Sequence, residues 1–589
     1  MNGEWSLNAL YSGYEDPAYL ADEQKADVLG EQINALADTL EERNERENLL
    51  AALPLLEQEA DLYDKLFNFS ALRQEANTAD EKSASRLGSL SQKNSRTTKA
   101  KTRIFSYIAR IPESEMEALI AQEPLLQEYR YYLQCIREDD RYLLNGDVEE
   151  ALAKYGMSGG DAWSDLQAYL TSSVKADYQG KPLTLSAVRN LAYDADPEVR
   201  RQAYEAELAC YEKIKDAVAF SLNSIKMQAI SECELRGFAS PLEKTLHESR
   251  MRRETLDALL EAMQEYMPKF WEYLRAKGRA LGHADGLPWY DLFAPMGSNG
   301  KKYTVEEAEA YLLQVFGAFN PKMAEIMHKA FREEWIDFFP REGKVGGAFC
   351  AGIPAIRQFR ILTNFDGSFN SITTLGHELG HGYHDFMVQE NRPLNRSYSM
   401  PVAETASTFN ENVILEEALE KAEDKEEQLA LAEGELMEVT QIICDIYSRF
   451  LFEQEVCARR KDEFLFADQL CELMLKAQRQ AYGNGIAADT LHPYMWVCKS
   501  HYYGPDLAFY NFPYAFGGLF ARGLYAKYRA EGKNFLPKYD AMLRATPTAS
   551  VEEAAAICGV DVTDKQFWLS SLQSYTPTIE LFKQLTGQC

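Results

Sequence analysis

Gly376-His377-Glu378-Leu379-Gly380-His381-Gly382 is the stretch on which the reading of this chain turns. On an α-helix, residues four apart are separated by ~40° of rotation and ~6 Å of rise, so the imidazoles of His377 and His381 reach one metal ion. Glu378 projects to the side of that pair, near where a metal-held water would stand. The chain has 8 histidines and 91 acidic residues in 589. That composition alone yields the pattern about 0.02 times per chain. Each of the three glycines costs the predicted helix ~1 kcal/mol relative to alanine. A helix that breaks its own propensity this way either admits a close neighbour or serves a site.

His-Glu-x-x-His on a helix implies two histidine ligands and a glutamate that acts as general base in metal-assisted hydrolysis. A catalytic zinc takes a third protein ligand and keeps one position open. His384 is a poor third ligand. It follows His377 by seven residues, on nearly the same face but ~10 Å further along the axis, and reads as a packing or supporting residue. Ser399-Met400-Pro401-Val402-Ala403-Glu404-Thr405-Ala406-Ser407 offers a better one. Pro401 can begin a second helix, which places Glu404 in its first turn. Ser407, Thr408 and Glu411 then share its face. Glu390 to Tyr398 has the composition of a connecting loop, so two antiparallel helices would bring Glu404 to His377 and His381.

The spacing separates families of such enzymes. Thermolysin-like and alanyl-aminopeptidase-like enzymes carry the glutamate ligand 23 or 24 residues after the first histidine, where this chain has Met400 and Pro401. Metzincins need a histidine ten residues on, and position 387 is methionine. Glu404 stands 27 residues after His377.

Most of the remaining sequence reads as helix. Residues from about 24 to 80 carry Leu, Ala, Glu and Gln at helical spacing, and Asp196-Pro197 reads as the start of a long helix to about residue 236. Residues 82 to 102 fit either an exposed helix or a loop. The exception is Val345 to Pro354, rich in glycine, followed by Phe359, Ile361 and Thr363 at period two, which predicts strands and tight turns. The edge of such a sheet either holds an extended peptide or simply packs. Asp366-Gly367-Ser368 reads as the turn into the histidine-bearing helix, with Asn370 or Ser371 as its cap.

Bulk properties narrow the setting. A length of 589 implies more than one lobe, with a border placed near residue 190. Residues 1–190 would form an N-terminal helical lobe and 191–589 a catalytic lobe. The net charge of −29, from 62 basic and 91 acidic residues, argues against a nucleic-acid or anionic-membrane partner. No secretory signal is expected from Met1-Asn2-Gly3-Glu4-Trp5-Ser6, and no apolar run approaches ~20 residues. The ten cysteines are dispersed without a Cys-x-x-Cys pair, which predicts reduced, mostly buried thiols in a cytoplasmic protein.

Three separated blocks resemble one known family. Gly376 to His381 with Ala403 to Glu411, the upstream Gly347-Ala348-Phe349-Cys350, and His501-Tyr502-Tyr503-Gly504 with Phe509 to Gly517 are similar to the oligoendopeptidase F branch of the thimet-oligopeptidase-like zinc metallopeptidases. The likeness extends loosely over residues 190 to 580. It implies a mainly α, two-lobed, zincin-like fold with a small β-sheet beside the metal helix and a deep substrate channel. It also implies one Zn2+ per chain on His377, His381 and Glu404, with Glu378 as general base. His501, Tyr510 and Tyr514 would close over the substrate and donate hydrogen bonds. Tyr514 is separated from Tyr510 by one residue more than in the thimet branch. The implied activity is cleavage of internal bonds in short peptides. A related carboxypeptidase and a catalytically silent peptide-binding protein are the competing readings, and an intact Glu378 speaks against the second.

Overall fold

Amide and acidic side chains open helix after helix. Asn44 accepts from the Glu47 amide while Glu47 reaches back to the Asn44 amide, which starts the 32-residue helix Glu45–Ala76. Asp196, with Pro197 in the first helical position, starts Pro197–Tyr211. In the computed structural model, which describes residues 3–298 and 300–588, 72% of the chain is helix and 4% strand. The interior is therefore built mainly by helices packing on helices, in keeping with the mainly α reading.

The apolar core falls into three clusters. Two small ones draw on residues between Leu10 and Leu133, one of them with Ile353 added. The large one runs from Ala176 to Phe582. Charged contacts tie the helix Glu45–Ala76 to the segment between the predicted metal ligands. Arg392 Nε donates to Glu57 at 2.6 Å and Arg396 Nη1 to Asp61 at 2.6 Å.

Several local expectations need correction. The stretch 197–236 is two helices, Pro197–Tyr211 and Lys215–Arg236. The chain turns at Ile214 (φ −125°), whose side chain is buried in the large core. Residues 82 to 102, open between helix and loop in the sequence, lie within Glu81–Ser95 and Thr98–Arg110 except for a turn at Arg96 and Thr97. A hairpin, Lys175–Tyr178 with Lys181–Thr184, has no counterpart in the sequence reading.

Beside the future site lies a three-stranded sheet. Gln358–Leu362 is its centre. Phe349–Ile353 pairs with it antiparallel, Phe349 opposite Leu362, and Ile336–Asp337 pairs parallel on the other side. Phe349–Ile353 is thus an edge strand, and Asn68 of Glu45–Ala76 donates to its Gly352 carbonyl at 3.3 Å. Five of the nine described cysteines are buried and none is disulfide-bonded; Cys589 lies outside the described residues. Among the described residues no helix is long and apolar enough to cross a membrane.

Candidate metal centre and active site

The histidine helix is Phe369–Val388. Its cap is Ser368, whose hydroxyl accepts from the Ser371 amide, rather than Asn370 or Ser371. Gly367, at φ 82°, makes the turn before it. The three glycines in the helix face close neighbours. A Cβ on Gly382 would lie 2.6 Å from the Phe359 ring, and one on Gly376 would meet Cδ1 of Ile414. Gly380 faces the backbone of Ala406 and Ser407. The propensity cost visible in the sequence is thus matched by close packing against the sheet and the helix Thr405–Lys421.

Glu404 sits at a joint. Met400–Ala403 forms a single helical turn with Pro401 near its start, and Thr405–Lys421 follows. Glu404 therefore lies between two helices rather than in the first turn of one. Ser407 Oγ donates to Glu404 Oε2 at 2.9 Å, which orients the carboxylate. Asn410 Nδ2 donates to the Gly376 carbonyl at 2.9 Å and locks the two helices in register.

These contacts bring three donors together. His377 Nε2 and His381 Nε2 are 3.2 Å apart, and Glu404 Oε2 is 3.4 Å from each. A tetrahedral ion with bonds of ~2.1 Å places its ligand atoms ~3.4 Å from one another, so the triangle fits one such ion. Two imidazoles and a carboxylate are also the donor set that zinc accepts. His377 Nδ1 lies 2.9 Å from Glu411 Oε1. Donation there leaves the Nε2 lone pair facing the other two ligands.

The electrostatics are those of a cation site. Burial disfavours a charged His377, yet Glu404 and Glu411 outweigh it and hold its pKa well above the ordinary imidazole value. Burial works against ionised Glu404 as well, but hydrogen bonds from His377 and His381 keep it well below the usual carboxylate range. Glu378 is different. Burial raises its pKa against the pull of the two histidines, which moves a carboxylate toward the range useful for proton transfer near neutrality.

His384 is fully buried, stacked on Tyr398 at 4.1 Å, with Nε2 2.8 Å from Thr546 Oγ1. It does not join the donor triangle. Cys350 lies on the edge strand, and burial, aided by Asp385 and Glu378, raises its pKa well above the usual thiol value. That disfavours its thiolate, the reactive form.

The distant aromatic block comes to the same place. His501 lies in the helical turn Ser500–Tyr503, anchored by the buried Tyr502 and Tyr503, whose hydroxyls donate to the carbonyls of Arg449 (3.3 Å) and Trp496 (2.8 Å). The rings of His501, Tyr510 and Tyr514 cluster with centroids 4.9 to 6.0 Å apart. Phe509, at φ 53°, adopts the left-handed conformation immediately before Tyr510. Tyr510 Oη reaches Met400 Sδ at 3.8 Å. Tyr514 lies in the first turn of the helix Phe512–Glu531, where a Cβ on Gly517 would lie 2.9 Å from that of Glu404. Burial, Tyr510 and Glu404 together push Tyr514 up to about 12.

Two residues absent from the sequence-predicted set belong beside it. Glu411 was legible only as a position on the Glu404 face. Arg449 carried no signal in the sequence; its Nη2 lies 3.1 Å from His501 Nδ1. It follows a π-helical turn, Gln441–Asp445, in the middle of a continuous helix from Lys425 to Arg460.

A triangle of His377, His381 and Glu404 that could hold a metal ion, with the Glu378 carboxylate on the same helix and a mainly helical scaffold around them, points to the metallopeptidase class. A sequence profile of peptidase family M3 matches residues 190–574, and one of oligopeptidase F matches residues 108–175. The chain belongs to peptidase family M3, in its oligoendopeptidase F branch, and is a metallo-endopeptidase. It is 26% identical over 470 residues to the group B oligopeptidase PepB of Streptococcus agalactiae, covering 78% of this chain and 77% of that one. It is 25% identical over 468 residues to the oligopeptidase PepF of Bacillus subtilis, covering 78% and 69%. In fold it resembles a chain from Chlamydophila abortus, with a TM-score of 0.82 at 20% identity and 98% of both chains covered. It also resembles the oligoendopeptidase-F of Enterococcus faecium, with a TM-score of 0.70 at 19% identity over 96% of this chain and 100% of the other.

Proposed function

We propose that this chain is a cytoplasmic, zinc-dependent endopeptidase that cleaves internal bonds of short oligopeptides, with one Zn2+ held by His377, His381 and Glu404. The observation that carries the reading is the 3.2–3.4 Å triangle of donors with Glu378 in the same helix. Zinc, when bound by these three residues, would supply Lewis acidity that lowers the pKa of a water toward neutrality. Glu378, its carboxylate already raised by burial, takes the proton of the attacking water and passes it to the departing amide nitrogen. Tyr510, Tyr514 and His501 donate hydrogen bonds to the oxygen that gains charge as the carbonyl is attacked. The edge strand Phe349–Ile353 holds the substrate backbone in extended form. Restriction to short peptides is supported by the oligopeptidase names of the relatives. The net charge of −29 supports a protein without nucleic-acid or anionic-membrane partners.

The test is digestion of an internally quenched peptide blocked at both ends, with mass spectrometry of the products and metal analysis of the same sample. Internal cleavage with one zinc per chain is expected, and Glu378→Ala should retain the zinc and lose nearly all hydrolysis. Release of single C-terminal residues from unblocked peptides only would make the chain a carboxypeptidase. A metal-free, inactive wild type would defeat the enzyme reading.

A further inference from the structure

Arg449 lies far from the donor triangle in sequence and points at the one histidine that the aromatic cluster contains. Its Nη2 is 3.1 Å from His501 Nδ1. A guanidinium has N–H donors only and does not lose its proton in proteins. A contact of this length therefore requires Nδ1 to be the acceptor, with its lone pair bare. The ring proton then sits on Nε2, at the opposite corner of the imidazole.

We infer that Arg449 is a positioning residue that fixes His501 as the neutral Nε2–H tautomer, so that His501 acts as an uncharged hydrogen-bond donor to the substrate carbonyl oxygen. This rests on the catalytic role proposed for His501 above.

The surroundings of the ring agree. Arg449 is itself buried and held by Asp445, whose Oδ2 is 3.5 Å from Arg449 Nη1 and 3.5 Å from Lys499 Nζ. The other nearby carboxylate, Glu453, is paired with the buried Lys226 at 2.5 Å. Tyr510, Tyr514 and Asn511 complete the surroundings. Both nearby acids are thus committed to cations, and His501 is left facing Arg449 and Lys499. Burial and these two cations lower its pKa, outweighing the opposing pull of Asn511 and Glu453. Protonating Nδ1 would place an N–H against an N–H, so the imidazolium is disfavoured by contact as well as by field. The π-helical turn Gln441–Asp445 supplies Asp445 as the anchor of this arrangement, and such turns recur at functional sites.

The role differs from that of a general acid. A neutral donor holds its proton throughout, so it leaves no limb in the pH profile where an ordinary histidine would titrate. The decisive measurement is the side-chain 15N spectrum of the full-length, zinc-loaded chain labelled at histidine, with His501 assigned by its loss in His501→Asn. The wild type is expected to stay in the neutral Nε2–H form at pH values where an ordinary histidine is already protonated. Arg449→Met should give mixed tautomers and move protonation up by about one unit or more. It should lower kcat roughly tenfold with little change in KM, and add an acid limb to kcat. Arg449→Lys keeps the charge beside Asp445 and should recover part of the loss; it also guards against a folding defect in the methionine variant. A wild-type ring protonated on Nδ1, or an Arg449→Met spectrum and pH profile identical to wild type, would overturn the inference. Wild-type kcat in His501→Asn would instead remove the catalytic role of His501, while the spectra would still report whether Arg449 sets the tautomer.

Discussion

A methyl group on Gly380 would lie 2.6 Å from the Cα of Ser407. The neighbour is backbone and cannot swing away. The helix that carries Ser407 starts at the residue after Glu404, so any shift there reaches the third ligand. Gly380→Ala is therefore expected to cost about 1–3 kcal/mol in packing strain and to reduce zinc content together with activity. Gly376→Ala, which presses on the flexible end of Ile414, should be milder. Zinc analysis and melting curves of the two variants check this. Equal effects would mean that the close approach at Gly380 does not set the position of Glu404.

Glu411 holds the far nitrogen of His377. Glu411→Ala should keep the fold and weaken zinc binding roughly 10- to 100-fold. Glu404→Ala should lose the metal under the same conditions. Competition with a graded chelator series measures both. An unchanged affinity in Glu411→Ala would show that the 2.9 Å contact does not tune the ligand.

Tyr510 and Tyr514 are not equivalent in sequence spacing, yet their rings meet at 5.8 Å on the Glu404 side. Each Tyr→Phe change removes one donor and is expected to lower kcat by about a hundredfold, near 3 kcal/mol, with KM within a few-fold. If Tyr514→Phe turns over at the wild-type rate, Tyr514 has no part in stabilising the oxyanion.

His384 predicts a pH effect on stability. Burial pushes its pKa down to about 3 from 6.5. The unfolded chain therefore binds the proton more readily than the folded one. The stabilisation is full above about pH 6.5 and is lost as pH falls toward 3. Between pH 7 and pH 5 the loss amounts to about 2 kcal/mol. His384→Gln should melt at a lower temperature at pH 7 but lose less between pH 7 and pH 5. Parallel melting curves at the two pH values decide it.

How much of this was readable from residues depends on how local the signal was. His377, Glu378 and His381 declare themselves because one helical turn brings them together. Glu404 is legible from the proline-led helix start in Ser399 to Ser407, and its distance from His377 separates the families, although its place at a joint between two helices does not show. Ser368 was overlooked as the cap because Asn370 and Ser371 are equally good capping residues. The break at Ile214 was hidden by Tyr211, Glu212 and Lys213, which suit a helix, and Ile336–Asp337 is too short to show a period. The contact between Arg449 and His501 spans 52 residues and follows no repeat, so only the folded chain reveals it. Glu411 lies between these cases. Its position on the helix face was visible, but its partner, 34 residues upstream, was not.

The π-helical turn at Gln441–Asp445 has a consequence for how this helix tolerates changes in length. Such a turn holds one residue more than an α-helical turn. Deleting a single residue from it would leave an ordinary, uninterrupted helix from Lys425 onward. The side chains on either side would keep their relative facing, because the wide turn carries five residues through about the angle that four cover in an α-helix. A one-residue gap inside Lys425–Thr440 would instead turn one part of the helix against the other by ~100°, and either the aromatic cluster would lose Arg449 or that segment would lose its own packing. The turn at Gln441–Asp445 is therefore the point at which this helix best absorbs the loss of a residue while still directing Arg449 at His501.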